Sequence, residues 1–240
     1  DPEAGFRARE GLRRALGKAL APQWREAYDA AKQDGFVYSP SAKGLRRIRN
    51  VSLGYLAANG GAEAADLAFA QFEAADNMTD RQGALTVLAS LSGAADPKRE
   101  AALDIFYQRY RDNPLVLDKW FSTQALSARD DTPDAVVALA AHPDFTLNNP
   151  NRARALIGAF SVNQRGFHAA DGRGYRFVAD QLLALDKINP QTAAKLLPPL
   201  GRWKRFEPGR SALMRAELER IVAQPGLSKD LFEQASKSLA

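Results

Sequence analysis

Turn and helix-start signals recur along this chain at a nearly constant interval, and that rhythm restricts it to a repetitive, all-helical fold. The signals stand at Asn59-Gly60-Gly61, Asp76-Asn77, Asp96-Pro97, Asn113-Pro114, Thr132-Pro133 and Asn149-Pro150, and resume at Asn189-Pro190, Glu207-Pro208 and Pro225-Gly226. Neighbours lie roughly 17–20 residues apart with one gap of about 40, so each interval holds one helix and a short turn. Several place Asp, Asn or Thr directly before Pro. This is the chemistry of a helix start: the first side chain accepts from unpaired N–H groups, and Pro at the first helical position loses no hydrogen bond. Thr79 with Gln82 adds the pattern of a capping box.

Apolar residues between these starts follow helical spacing. Ala64, Leu67, Ala68 and Phe72 make one stripe, Ala102, Ile105, Phe106 and Tyr110 a second, and Leu117, Trp120 and Phe121 a third. Leu213, Met214, Leu218, Ile221 and Val222, then Leu231, Phe232, Ala235 and Leu239, repeat the rule near the end. Each stripe is one-sided and has to be buried against neighbouring helices. Runs of alternating β-branched residues that would mark strands are missing.

Short turns force consecutive helices to pack antiparallel, and a long series of such hairpins gives an α-solenoid. The expected fold is therefore all-α: an irregular superhelical α-solenoid of antiparallel helix hairpins, HEAT- or armadillo-like, without the residue-level repeat of ankyrin or tetratricopeptide arrays. Residues 1–40 differ, because Gly5, Gly11 and Gly17 weaken an Arg/Leu/Ala stretch and Asp34-Gly35 and Ser39-Pro40 follow it. Two helices and a loop, loosely attached, are expected there, with the solenoid occupying 41–240.

Composition narrows the function classes. Hydrophobic residues make up 45% of the chain, enough for a substantial core. The absence of cysteine removes disulfide scaffolds, thiolate metal sites and cysteine nucleophiles, and fits a reducing, cytoplasmic compartment. No apolar run approaches the roughly 20 residues that span a bilayer, so no membrane partner is expected. The start Asp1-Pro2-Glu3 has neither an initiator Met nor a secretory signal and is expected to lie inside a longer protein. A formal charge of +5 invites a nucleic-acid reading, but the 33 basic residues are interleaved with 28 acidic ones rather than gathered on one stripe. The densest cluster, Arg46, Arg47 and Arg49, reads as a solvated face or a contact to a neighbouring domain.

A search for chemistry returns little. The two histidines, His142 and His168, lie far apart in sequence, and no His-Glu-x-x-His pattern occurs. His142 precedes Pro143 at a helix end, where it is expected to satisfy a C-terminal carbonyl. Neither Gly-x-Ser-x-Gly nor Ser-x-x-Lys is present. Asp171-Gly172-Arg173-Gly174 lacks the spacing and the preceding strand of a phosphate loop and reads as a turn opening a helix. No catalytic or metal site is expected within these residues. The longest irregular stretch, roughly 142–173, is a candidate ligand or partner loop, since long polar loops on a helical scaffold carry contacts more often than helix interiors. Its Asn and Gly residues would equally build turns.

The ordered set Asn77-Met78-Thr79-Asp80, Leu117-Asp118-Lys119-Trp120-Phe121, Asn149-Pro150-Asn151-Arg152 and Phe167-His168-Ala169-Ala170-Asp171-Gly172-Arg173-Gly174-Tyr175, with Asn189-Pro190-Gln191 and the final Leu239-Ala240, resembles the C-terminal part of bacterial aminopeptidase N, an alanyl aminopeptidase family of the zinc gluzincin clan. The match in order and spacing covers approximately 43–240. The resemblance implies an enzyme that removes N-terminal residues from peptides, with its zinc and glutamate base in a catalytic domain upstream of Asp1, so that this chain holds no cofactor itself. It implies a helical cap that closes over the active-site cavity and gates entry, with the upstream catalytic domain and peptide substrates as partners. It places Gln191 and, one turn later, Lys195 on the cavity wall. Relatives commonly carry arginine at the Lys195 position, so this chain keeps the charge and loses the planar fork. Asn149, Asn151, Arg152, His168, Asp171 and Tyr175 are candidate domain-contact or cavity-loop residues. Against the cap reading stands a free-standing helical-repeat scaffold that binds protein or nucleic acid, and for Gln191 and Lys195 the alternative is an ordinary exposed helix surface.

Overall fold

The computed structural model of the chain describes residues 1–93 and 95–240. Helices α1 (Pro2–Ala19), α2 (Ala21–Ala30), α3 (Pro40–Leu56), α4 (Ala62–Ala74), α5 (Met78–Ser90) and α6 (Asp96–Tyr110) are followed by α7 (Pro114–Ala125) and α8 (Thr132–Ala140). Next come α9 (150–161), α10 (Arg173–Asp186), α11 (Pro190–Leu196), α12 (Pro198–Gly201), α13 (Pro208–Val222) and α14 (Lys229–Leu239). No strand occurs among the described residues, so the fold is all-α, as the rhythm of helix starts requires. No helix among them is long and apolar enough to cross a membrane. Two compact units divide the chain: residues 7–113, and residues 1–6 together with 114–240.

In the unit 7–113, α2 packs on α3, α4 on α5, and α5 on both α3 and α6. Ala65, Ala68, Phe72, Ala84, Leu85, Leu88 and Phe106 are fully buried at these faces. Each large side chain there contributes about 1.5–3 kcal/mol through burial. Trp24 on α2 lies flat against Tyr55 on α3, with ring centroids 4.1 Å apart and planes 2° from parallel. Gly17 is the crossing point of α1 with α3: a Cβ at this position would stand 2.5 Å from the Tyr55 carbonyl oxygen. The glycine that weakens the helix locally is thus the one that permits close approach.

The start of α5 corrects one expectation. The cap residue is Asn77, whose Oδ1 accepts from the Asp80 N–H at 3.0 Å while its Nδ2 donates to Asp80 Oδ2 at 3.0 Å. Thr79 lies inside the first turn, so the reciprocal cap runs from Asn77 to Asp80 and not from Thr79 to Gln82. Asp80 is buried and draws a further donor from Asn50 Nδ2 at 3.4 Å. Satisfying that buried carboxylate sets where the helix begins.

In the unit 1–6 and 114–240, Asn149, Asn189 and Ser228 each accept backbone N–H groups and open α9, α11 and α14. Thr132 departs from the expected capping role: α8 begins at Thr132 itself, and its hydroxyl donates to the Ser127 carbonyl at 3.1 Å. Residues 154–158 of α9 form a π-helical turn bearing the buried Leu156 and Ile157, a widening for which the sequence carries no local signal. Phe121, Phe160, Phe167, Tyr175, Leu182, Met214, Leu218 and Leu231 make the interior of this unit.

Candidate functional site

The expected cavity-wall residues Gln191 and Lys195 lie one turn apart on α11, which Asn189 opens by accepting from the Thr192 N–H at 3.0 Å. Thr192 and Ala193 are buried, which turns Gln191 and Lys195 outward. Both are exposed, and neither forms a hydrogen bond or ion pair through its side chain among the described residues. They line a shallow groove of about 440 Å³ together with Ala194, Pro198 and, from α14, Asp230, Glu233 and Gln234. The groove presents a cation opposite two carboxylates, one of which, Glu233, is held by Lys237 at 2.5 Å. Sequence reading missed the α14 wall, because nothing local pairs α11 with α14.

The loop between α9 and α10 is built around His168 and Tyr175. Gly172 adopts φ +74°, a left-handed turn that suits glycine and leads into α10 at Arg173. Gly174 then lies directly under the loop: a Cβ there would collide with the Phe167 carbonyl oxygen and stand 2.8 Å from that of Gly166. This approach brings Tyr175, fully buried, to His168, with Nδ1 and the phenol oxygen 2.8 Å apart. The imidazole packs on Phe206 at 4.3 Å and on Phe167 at 4.8 Å. Arg210 donates from Nε to the His168 carbonyl at 2.7 Å and pairs with Glu207 at 2.5 Å. Burial, reinforced by the Arg210 charge and opposed by Glu207, lowers the His168 pKa to about 4, so the ring is neutral at pH 7. Burial likewise pushes the Tyr175 phenol up from its usual range. Asp171 is held below the usual carboxylate range: burial opposes ionisation, but the N–H and guanidinium of Arg173 outweigh it. Arg210 and Phe206 were not anticipated, and their separation in sequence from His168 explains why.

The residues Asn149, Asn151 and Arg152 open α9 in a different place. Asn149 Oδ1 accepts from the N–H groups of Asn151 and Arg152, and Asn151 accepts from the Arg154 guanidinium. Arg152 is buried, with Nε 2.5 Å from Asp118, Nη1 donating to the Asp144 carbonyl, and the guanidinium 4.9 Å from the centre of the Phe121 ring. His142 stands beside this cluster. Its Nδ1 accepts from the Asp144 N–H at 3.1 Å, so this nitrogen serves the following turn. Both imidazoles are thus engaged in hydrogen bonds, and among the described residues no group of three or more His, Cys, Asp or Glu side chains converges.

The basic cluster also resolves into structure. Arg46 is buried and donates to Gln33 Oε1 at 3.1 Å and the Val37 carbonyl at 3.0 Å, and Arg49 lies over the Tyr28 ring at 4.9 Å. Two of its three guanidiniums are therefore turned inward and do not form a surface stripe.

Residues 1–240 match the family model described as a domain of unknown function (DUF3458_C) with ARM repeats. Over its whole length the chain is similar to aminopeptidase N of Caulobacter vibrioides, at 43% identity and over 28% of that protein. It is 39% identical to aminopeptidase N of Escherichia coli K12, over 27% of that protein. A crystal structure of Legionella pneumophila aminopeptidase A in complex with aspartic acid superposes over 96% of this chain and 28% of its own, with a TM-score of 0.87 and 32% identity. The chain thus spans between a quarter and a third of the proteins it matches, and the helical-solenoid expectation agrees with the ARM-repeat description. The chain belongs to the DUF3458_C family of ARM-repeat domains, the C-terminal helical domain that it shares with bacterial aminopeptidase N.

Proposed function

We propose that this chain is the non-catalytic cap domain of a cytoplasmic zinc metallo-aminopeptidase that removes N-terminal amino acids from peptides. Residues 41–240 form the cap body, and the chain encloses the active-site cavity and gates peptide entry. Its partners are the catalytic part of the same polypeptide, which carries the zinc, and the peptides admitted. One observation carries this reading: the whole chain aligns with just over a quarter of aminopeptidase N, leaving the remainder for the catalytic machinery. A wall of helices around a metal site supports such an enzyme by excluding folded proteins and bulk water.

Gln191 and Lys195 supply free polar contacts on the cavity wall, with Lys195 facing the carboxylate end of a bound peptide. Asn151 and Asp171 act at the loops that meet the catalytic part. Asn149, Arg152, His168 and Tyr175 hold those loops in place through the hydrogen bonds described above. The test uses the isolated chain, the catalytic part and their mixture, assayed on an alanyl chromogenic amide and on peptides of increasing size. The isolated chain is expected to release no product with or without zinc, and adding it to the catalytic part is expected to restore discrimination against large substrates. Zinc-dependent turnover by the pure chain, or unchanged size selectivity in its absence, overturns the proposal.

A further inference from the structure

Helix α3 carries apolar residues on two faces. Ala42 and Leu53, with the buried Arg46 between them, turn into the core of the unit 7–113. A second face presents Leu45, Ile48 and Val51 at three-residue spacing, and these side chains are 38%, 49% and 38% exposed. One apolar stripe suffices for a helix at a protein surface, and a contiguous second one marks a face that something covers. Val51 also joins this stripe to a groove of about 550 Å³ between α1, α3 and α5, whose walls include Leu12, Leu16, Tyr55 and Val87. Arg13 reaches across from α1 and donates from Nη2 to the Gly54 carbonyl at 2.7 Å, which ties the two walls together. Gly54 and Gly83 line the groove without side chains of their own, which leaves depth for side chains inserted from outside.

Charge selects the occupant. Residues 7–19 of α1 together with α3 carry nine Lys and Arg against a single acid, Glu10, which Arg13 engages at 3.3 Å. Arg47 lines the groove and Lys43 stands one turn before it. Both are exposed, and neither forms an ion pair or a side-chain hydrogen bond among the described residues. A basic, apolar surface also suits an anionic membrane, but a groove between helices takes a ridge of side chains and not a flat bilayer. We propose that stripe and groove are covered by an acid-flanked amphipathic helix of the same polypeptide, outside these 240 residues. Its apolar side chains, spaced at i, i+3 or i+4 and i+7, enter the groove and cover Val51 and Ile48, and its Asp or Glu side chains pair with Arg47 and Lys43. The aminopeptidase N relatives have room for such a segment, since the chain spans only 27–28% of them. To that extent the assignment rests on the proposed function, but it names a different surface from the loops at Asn151 and Asp171.

The experiment places single cysteines in the full-length protein and follows their reaction with a maleimide, read by peptide mass spectrometry and referred to the same variant unfolded in urea. These 240 residues contain no cysteine of their own. Ile48→Cys and, should it fail to fold, Leu45→Cys are expected to react at least about tenfold more slowly than Glu73→Cys, an exposed position on α4 of the same unit. Adding Arg47→Glu to Ile48→Cys is expected to recover at least about threefold of that rate, the worth of one ion pair at the rim of an interface. Equal labelling of Ile48→Cys and Glu73→Cys overturns the proposal, and so does protection that Arg47→Glu leaves unchanged. Protection that grows with protein concentration assigns the face to a second copy, and flotation with phosphatidylserine vesicles that Ile48→Asp abolishes assigns it to a membrane; either result also overturns the proposal. The two readings fail separately: a full-length protein without peptidase activity but with Ile48→Cys protected refutes the enzyme, and an active one with Ile48→Cys unprotected refutes the docked helix.

Discussion

Replacing Gly174 by alanine should loosen the His168–Tyr175 loop, and the cost can be worked from the contacts around it. The new methyl would meet the carbonyl oxygens of Phe167 and Gly166 and the Phe167 carbonyl carbon, the latter two at 2.8 and 2.9 Å. All three are backbone atoms, so no side-chain rotation relieves the clash. Overpacking of this kind costs about 1–3 kcal/mol. Displacing Phe167 and His168 also sacrifices the 2.8 Å hydrogen bond to Tyr175, worth about 1 kcal/mol. Removing a glycine from a helix returns up to about 1 kcal/mol, and less at the first turn of α10 where Gly174 lies. The net loss is about 2 kcal/mol, which lowers the melting temperature by about 4–8 °C for a domain of this size. Thermal unfolding followed by far-UV circular dichroism measures it. Gly11→Ala is the matched control, because nothing lies within 4 Å of its added methyl and it should gain about 0.5–1 kcal/mol. A Gly174→Ala chain that melts at or above the wild-type temperature, while Gly11→Ala behaves as expected, would refute the claim that backbone contact at Gly174 positions the loop.

Arg152→Ala should destabilise the unit containing α9 by about 3–5 kcal/mol, because Asp118 is left as an uncompensated, largely buried carboxylate. Urea unfolding checks this, and Asp118→Asn in the Arg152→Ala background should recover part of the loss. His168 is about 4 in the fold against about 6.5 unfolded, so the unfolded chain takes up the proton first as pH falls. Stability is therefore unaffected above about pH 6.5 and declines between there and about pH 4, by about 2 kcal/mol after allowing for partial exposure. His168→Gln should show a shallower decline in urea midpoint over that window, and an equally steep one would count against the assignment. In the full-length protein, if it is the proposed aminopeptidase, Lys195→Ala should raise KM for a tripeptide by up to about fivefold, the worth of one exposed ion pair, with kcat little changed and with no effect on an alanyl anilide that lacks a carboxylate. Unchanged tripeptide KM would remove Lys195 from the cavity wall.

Features set by neighbours in sequence were legible, and those set by tertiary approach were not. The helix starts at Asn149-Pro150 and Asn189-Pro190 follow from capping, an interaction that spans three residues. The π turn at 154–158, the contact of Gly17 with Tyr55 and the contact of Gly174 with Phe167 depend on elements brought together only in the fold, and a glycine in sequence reads equally as weakness or as access. The same distinction sorts the motifs that carry the family resemblance. Asn77 and Asp80 bond each other, Asp118 holds Arg152, Asn149 caps α9, and His168 holds Tyr175. Their polar groups are consumed in joining segments, so altering them changes stability before it changes any contact with substrate. Gln191 and Lys195 differ in having exposed side chains that bond nothing among the described residues. A side chain spent on the fold cannot also grip a substrate without breaking what it holds, whereas these two can bind a peptide at no structural cost. That difference makes α11, and not the more elaborate loop at His168, the surface from which the proposed cap would touch the peptide.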